Sequence, residues 1–316
     1  MKPTFASTAD QIDQTLSFKE IASGIYAAMA DGDPNVLVVI GDDSILVVDT
    51  TATPDMARPV IDSIRSLSSA PFRFVVLSHY HAVRTLGASA FKGASIIASR
   101  GTYDLIAERG EADYQSEFGR FPRLFRGNDS IPGITWPTIV FENELTVFVG
   151  ETEVRILHLG RGHTKGDTVV WLPKEKVMFG GDTIDFRSTP YCGDGYLQEW
   201  RKTLLKTRAL SPEILVPGRG PAINGTKACQ NAFDEMDEYL RDVYEITMEG
   251  SKLGSLKLAF DYAYPKLKSR YGQWFIFEHC IPFSIARAFE EAQGVIDPYI
   301  WTAERDRQLW AELHGS

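Results

Sequence analysis

Short apolar runs alternate with polar turns through the first half of the chain. VLVVI (Val36–Ile40) and ILVVD (45–49) flank GDDS, a turn composition, and together predict a β-hairpin. MARPVIDSIRSL then carries apolar residues at helical spacing, FRFVVLS predicts a buried strand, and SIIAS predicts another short one. Residues 103–125 are charged and predict a helical or irregular stretch. The second half repeats the pattern. TVFVG, VRILHL, TVVWLP and KVMFGGD predict strands joined by Gly- or charge-rich turns, LQEWRKTLLKTRAL an amphipathic helix, EILVPG a strand, and 227–250 a long helix. Beyond Gly250, WFIFEHCIPFSIARAFEEA and TAERDRQLWAELH predict helices. Two successive β-rich halves, each closed by helices, imply an α/β (α+β) protein of two packed sheets with helices outside.

Composition changes this picture little. A length of 316 residues, 44% hydrophobic and 24% charged, suits one large domain or one domain with an extension. The net charge of -9 and a pI near 5.3 argue against nucleic acid or an anionic membrane as partner. Cys192, Cys229 and Cys280 are odd in number and form no CxxC, so no disulfide framework is implied. The opening MKPTFASTADQIDQTLSF has no apolar signal core, and no apolar run approaches ~18 residues. The expectation is a soluble, cytoplasmic protein.

The candidate chemistry lies where apolar strands end. Asp49 closes VVDT, His79 and His81 close LSHYH, His163 lies in LGRGHTKGD, Asp182 in FGGD and Arg219 in LVPGRGP. Strand ends are rigid and the loops beyond them exposed, which is where sites are built. Imidazole and carboxylate together suit zinc or iron. Singly, each residue has a structural reading: a buried His is commonly a hydrogen-bonded core residue, and an Asp after a Gly-Gly turn is commonly a helix cap. Four of the six histidines (His79, His81, His158, His163) fall in one stretch, and that clustering favours a metal.

These segments resemble the metallo-β-lactamase superfamily, whose pattern is an Asp after an early strand, HxHxDH, a GHTxG His, an Asp after a later strand and a PGHG His. Asp49, HYHAVR, GHTKGD, FGGD and PGRG stand in that order, and the resemblance spans roughly residues 21–223. It implies an αβ/βα four-layer sandwich over residues 1–250, with the site at one edge, followed by a helical C-terminal extension over 251–316. The extension is expected to cover the pocket or to form a homodimer surface.

The resemblance implies one metal site held by His79, His81, His163 and Asp182. The family's second site is missing, because Val83, Arg84 and Arg219 stand where its ligands would be. The expected catalytic groups are therefore Asp182, Arg84 and Arg219, with the two arginines binding anionic substrate groups in the vacated half. Alternatively, Arg84 pairs with a structural acid such as Asp49. Val83 cannot orient water, so hydrolysis of an ester, lactone, thioester or amide would rely on hydroxide carried by a single divalent metal ion, zinc by default. Proton shuttles could be Asp182, Asp185, Tyr191 or Asp194. His158 and His279 read as structural. Lys165 and Asp167 are expected to fix the loop of His163, Asp167 as an acceptor for an imidazole N–H. Trp274, Phe275, Phe277 and Phe283 are core or pocket wall, and Cys192 is not expected to be a nucleophile. Two other functions fit the same residues: a mononuclear iron oxygenase of the persulfide-dioxygenase kind, using His79, His163 and Asp182, and a non-catalytic anion-binding protein.

Overall fold

The computed structural model describes Ile12 and residues 14–315. Among the described residues, thirteen strands form two sheets. The first follows chain order, β1 (Ser17–Ala22), β2 (Ile25–Met29), β3 (Val36–Ile40), β4 (Ile45–Val48), β5 (Phe72–Val76), β6 (Ser95–Ser99) and β7 (Ile139–Phe141). The second runs β13 (Ile223–Asn224), β12 (Ile214–Val216), β11 (Val177–Phe179), β10 (Val169–Leu172), β9 (Thr152–Leu157) and β8 (Glu144–Val149) across its width. Among the described residues, eight helices surround them: α1 (Pro54–Leu67), the single turn α2 (Ala82–Thr85), α3 (Arg100–Arg120), α4 (Leu197–Arg208), α5 (Thr226–Ser251), α6 (Leu256–Tyr271), α7 (Phe277–Ala292) and α8 (Ala303–His314).

The continuous apolar runs sort their side chains by strand alternation. Leu37, Val39, Leu46 and Val48 point into a core shared with Val170, Leu172, Val177 and Phe179 of the opposite sheet. The intervening Val36, Val38, Ile45 and Val47 pack outward on Val60 and Ile64 of α1 and on Leu105 and Ile106 of α3. On the far side, Val169, Trp171 and Met178 pack on Trp200 of α4 and Phe233 of α5. The result is the helix–sheet–sheet–helix sandwich expected, with each fully buried Val, Leu or Ile contributing roughly 1.5–3 kcal/mol.

Three differences from the expected elements are informative. β1 and β2 precede the predicted hairpin, and α6 fills a stretch where no helix was assigned. The predicted helix from Trp274 begins at Phe277, because Ile276 takes a left-handed backbone (φ 54) that α-helix cannot continue. α6, α7 and α8 share one apolar cluster with α4, α5 and the second sheet, through Leu267, Ile281, Phe283 and Leu309. Among the described residues, no helix is long and apolar enough to cross a membrane.

Strand direction places the site. β4 and β5 are parallel, as are β11 and β12. Their carboxyl ends therefore bring Asp49, the His79 segment, Asp182 and Arg219 to one edge, where an open α/β sheet presents its loops.

Candidate metal centre

His79 and His81 leave the end of β5, and His163 comes from the loop between β9 and β10. Their Nε2, Nδ1 and Nε2 atoms converge: His81 Nδ1 lies 3.1 Å from His79 Nε2 and 3.0 Å from His163 Nε2. The three rings stand nearly perpendicular to one another, at 81–87° with centroids 4.7–4.8 Å apart. All three are buried. Asp182, in the turn after β11, holds Oδ2 3.6 Å from both His79 Nε2 and His163 Nε2.

The outer nitrogens set the tautomers. Ser78 Oγ donates to Asp49 Oδ2 at 2.7 Å and lies 3.0 Å from His79 Nδ1, so Nδ1 carries the proton and the Nε2 lone pair faces inward. His81 Nε2 lies 3.1 Å from Asp194 Oδ2 and donates to it, leaving Nδ1 to face inward. Three inward-facing imidazole nitrogens call for a cation between them, either a metal ion or, without one, the proton that His81 would carry on Nδ1. Tetrahedral zinc–nitrogen bonds would set neighbouring donors roughly 3.3–3.4 Å apart, close to the spacing found. The donor set thus fits one divalent ion. Among the described residues these three histidines form the cluster able to hold a metal.

Surrounding charge reinforces this. Burial disfavours positive charge on His81, but Asp113, Asp194 and Glu117 outweigh it and push its pKa up to about 9. The same carboxylates favour a metal cation at Nδ1. Burial drives His79 well below the usual histidine range and His163 down to about 3, so both remain neutral donors. For Asp182, burial is outweighed by Arg84, His79 and His163, which hold it far below the carboxylate range. It is a fixed anion and a poor base.

Arg84 is fully buried and almost entirely engaged. Nη1 donates to Asp49 Oδ2 at 3.0 Å, and Nη2 donates to Asp182 Oδ1 and, at 2.8 Å, to the Gly218 carbonyl. The pairing with Asp49 is therefore present and extends to Asp182, whose two oxygens are divided between the histidines and the guanidinium. Only Nε lacks a partner. Asp49 itself is pushed up to about 6, by burial against the pull of Arg84 and Ser78. Both Asp49 (φ 60) and Thr51 (φ 66) are left-handed, strain of a kind that clusters at functional sites. Gly218 is required here: a Cβ would run into Asp182 Oδ1.

Arg219 is placed differently. Nη1 donates to the Gly32 carbonyl at 2.8 Å, and no other side-chain bond is made to it among the described residues. Val83 is buried with Leu86 and Leu124, its backbone N–H held by Glu117. Of the candidate shuttles, Asp194 is occupied by His81 and Tyr80. Burial and the neighbouring Asp182 push Asp185 well above the carboxylate range. Tyr191 has a buried hydroxyl without a partner, its ring centroid 5.7 Å from that of His81, and burial keeps it protonated.

Among the subsidiary expectations, His158 Nδ1 bonds the Asp167 carbonyl at 2.8 Å, a structural contact. Asp167 grips Thr164 N and Oγ1, which fixes the loop, while His163 Nδ1 has no partner. Asp167 therefore does not accept from an imidazole N–H as expected, since the local turn takes its carboxylate. Lys165 reaches Glu108 at 3.9 Å. The Cys192 thiol is pushed up to about 12 by burial, which leaves it unreactive. Sequence reasoning missed Asp113, Glu117 and Arg120, all buried on α3. Their spacing of four and three residues was the available signal.

A family model described as the metallo-beta-lactamase superfamily matches residues 29–219, and the chain belongs to that superfamily. The metallo-beta-lactamase type 2 of Bacteroides fragilis is 22% identical over 250 residues, covering 74% of this chain and 91% of its own. Among solved structures, a metallo-beta-lactamase from Pontibacter korlensis superposes with a TM-score of 0.58 at 20% identity, over 72% of this chain and 99% of that one. The stereoselective inverting sec-alkylsulfatase Pisa1 from Pseudomonas sp. reaches a TM-score of 0.69 at 14% identity, over 87% of this chain and 50% of that one. At these identities the structural likenesses establish the fold. Superfamily membership supports an enzyme of the metal-dependent hydrolase type.

Proposed function

We propose that the protein is a mononuclear metal-dependent hydrolase of a small anionic substrate, an ester, lactone, thioester or amide. The observation that carries this reading is the convergence of three imidazole donors on one point, beside a second half-site closed by Arg84. His79, His81 and His163 would hold the ion, with Asp182 Oδ2 beside them. A bound divalent ion, zinc by preference, supplies Lewis acidity and an acidified water. The chain's own groups supply the rest. Asp194 and Ser78 orient His81 and His79. Arg84 holds Asp182 in place and keeps it ionised. Tyr191, protonated and unpartnered, is positioned to donate to an oxyanion or leaving group. The reading also takes the protein as cytoplasmic, acting without nucleic acid or membrane.

Elemental analysis should find about one metal ion per chain, and His81→Ala should largely lose it, since two histidines and a shared carboxylate hold zinc poorly. Tyr191→Phe should retain the metal and lower kcat roughly 10²-fold on a panel of esters and lactones, in the range for loss of one oxyanion donor. Two ions per chain, or no loss of rate in Tyr191→Phe, would contradict the assignment.

A further inference from the structure

Arg120, at the end of α3, is buried although it belongs to no strand end of the family pattern. Its guanidinium lies between two rings, 4.6 Å from the centroid of Tyr191 and 4.8 Å from that of Phe283. Nε faces Ser116 Oγ at 3.2 Å and Asp306 Oδ2 at 3.4 Å, and Nη1 faces His279 Nε2 at 3.3 Å.

His279 comes from α7, outside the segment that matches the family. Burial, with Arg120 and Arg219 nearby, holds it well below the usual histidine range and therefore neutral. A neutral ring that accepts at Nε2 from Arg120 must carry its proton on Nδ1. That N–H is buried and has no partner. An unmade bond at a buried donor costs about 1–3 kcal/mol, so such a group calls for an acceptor.

Three donors surround a single ring, Phe121. The His279 ring lies 3.6 Å from its centroid, the Arg219 guanidinium 5.8 Å and the Arg120 guanidinium 6.0 Å. Phe121 and His279 also line a cleft of about 340 Å³, walled by Trp274, Phe275, Ile276 and Phe277. Of the acids of this region, Asp33 is committed to Arg123 and Glu278 to Lys268 and Tyr264, while Asp306 balances Arg120 and Asp185, held protonated by burial and Asp182, lies beside Arg219. Asp31 stands on the cleft lining. The cleft wall is held in a strained form. Ile276 is left-handed, and Phe275 is paired with the Asp182 loop through Arg187 O (3.1 Å) and Thr189 N (2.9 Å). Strain on a β-branched residue persists only where its surroundings impose it.

We propose that Arg219, Arg120 and His279 form an anion subsite for the carboxylate or sulfonate-type oxygens of a substrate with an apolar body, which lies along the aromatic cleft. This deepens the hydrolase reading and rests on it for the word substrate. It also moves anion recognition from Arg84, whose bonds are made, to Arg120, supplied by α3, and His279, supplied by the C-terminal helices.

The test uses benzoate, benzenesulfonate and neutral benzamide as probes, by calorimetry on the full chain with metal loaded and with metal removed by chelation. Benzoate or benzenesulfonate should bind in both states, and the stronger of the two identifies the oxyanion class. Benzamide should bind at least about tenfold more weakly, the equivalent of one lost charged hydrogen bond. His279→Phe, which preserves the stack on Phe121, and Arg219→Gln should each weaken the anion by a similar factor. His279→Asn, whose amide nitrogen replaces Nδ1, should restore most of it. Metal content should be unchanged in all three. The inference is overturned if the anions do not bind, if benzamide binds equally, if neither variant matters, or if chelation abolishes binding. A chain that takes up no metal defeats the hydrolase reading, and the chelated titration still decides the subsite.

Discussion

Arg84 shows how one residue governs both stability and chemistry. It lies between two buried carboxylates, Asp49 and Asp182, and also donates to Gly218. Removing a buried cation strands its partners, so Arg84→Met should destabilise the protein by about 3–5 kcal/mol. Urea unfolding would measure this. The same variant should keep its metal, because Arg84 is not a ligand and the three histidines keep their own supports. Metal loss without a stability change would reverse the roles given to Arg84 and the histidines. Position 84 was legible as a departure from the family pattern, and Asp49 was foreseen as its possible partner. The second partner, Asp182, is 98 residues away, and only folding brings it there.

At the scale of elements, caps and clasps fix the helices that frame the site. Thr53 caps α1 by accepting from Met56 N at 3.1 Å, and it donates to the Arg126 carbonyl at 2.6 Å. Thr53→Ala removes both bonds and should cost about 1–2 kcal/mol, read from the shift in urea midpoint. Asp242 of α5 clasps α6 through Tyr271 and Arg270. Burial pushes its carboxyl up, but bonds from Tyr271, Arg270 and Arg241 outweigh burial and leave it below its ordinary value of 3.8. A carboxyl depressed in the folded state stabilises above its unfolded value, and that contribution is lost as pH falls through the folded value. Asp242→Asn should therefore be less stable than wild type at neutral pH, and the gap should close below about pH 4. Equal gaps at both pH values would contradict the clasp. α3 escaped clear prediction because part of its buried face is charged: Asp113, Glu117 and Arg120 sit where an apolar stripe would mark a helix.

For the whole molecule, the candidate metal links its two halves. His79 and His81 extend from the first sheet, and His163 and Asp182 from the second. An ion bound there would add a tie between two layers already joined by their apolar core and by the bonds of Arg84 to Asp49 and Asp182. Binding to the folded state alone stabilises by mass action, about 2.7 kcal/mol when free metal is 100-fold above Kd. Chelation should accordingly lower the thermal midpoint, and excess zinc should restore it. In His81→Ala both shifts should nearly vanish, while an undiminished shift would place the metal elsewhere.

The sequence by itself determined the strands β3 to β6 and β8 to β12, the two-sheet architecture and the strand-end positions of His79, His81, His163 and Asp182, but not β1, β2, β7 or β13. These follow from local periodicity and spacing, which chain order preserves: alternating apolar residues must face two cores, and HYH must leave β5 as a unit. Tertiary structure alone decided how the polar residues pair. Arg84 is bound by its neighbours, Asp113 and Glu117 charge the surroundings of His81, and His279 presents an unpaired N–H beside Arg120. A charged residue's partner is set by distance in space, and nothing local in the chain encodes it. His279 lies in an apolar helical stretch that reads as core, and only the packing of α7 against Phe121 turns its ring toward the cleft.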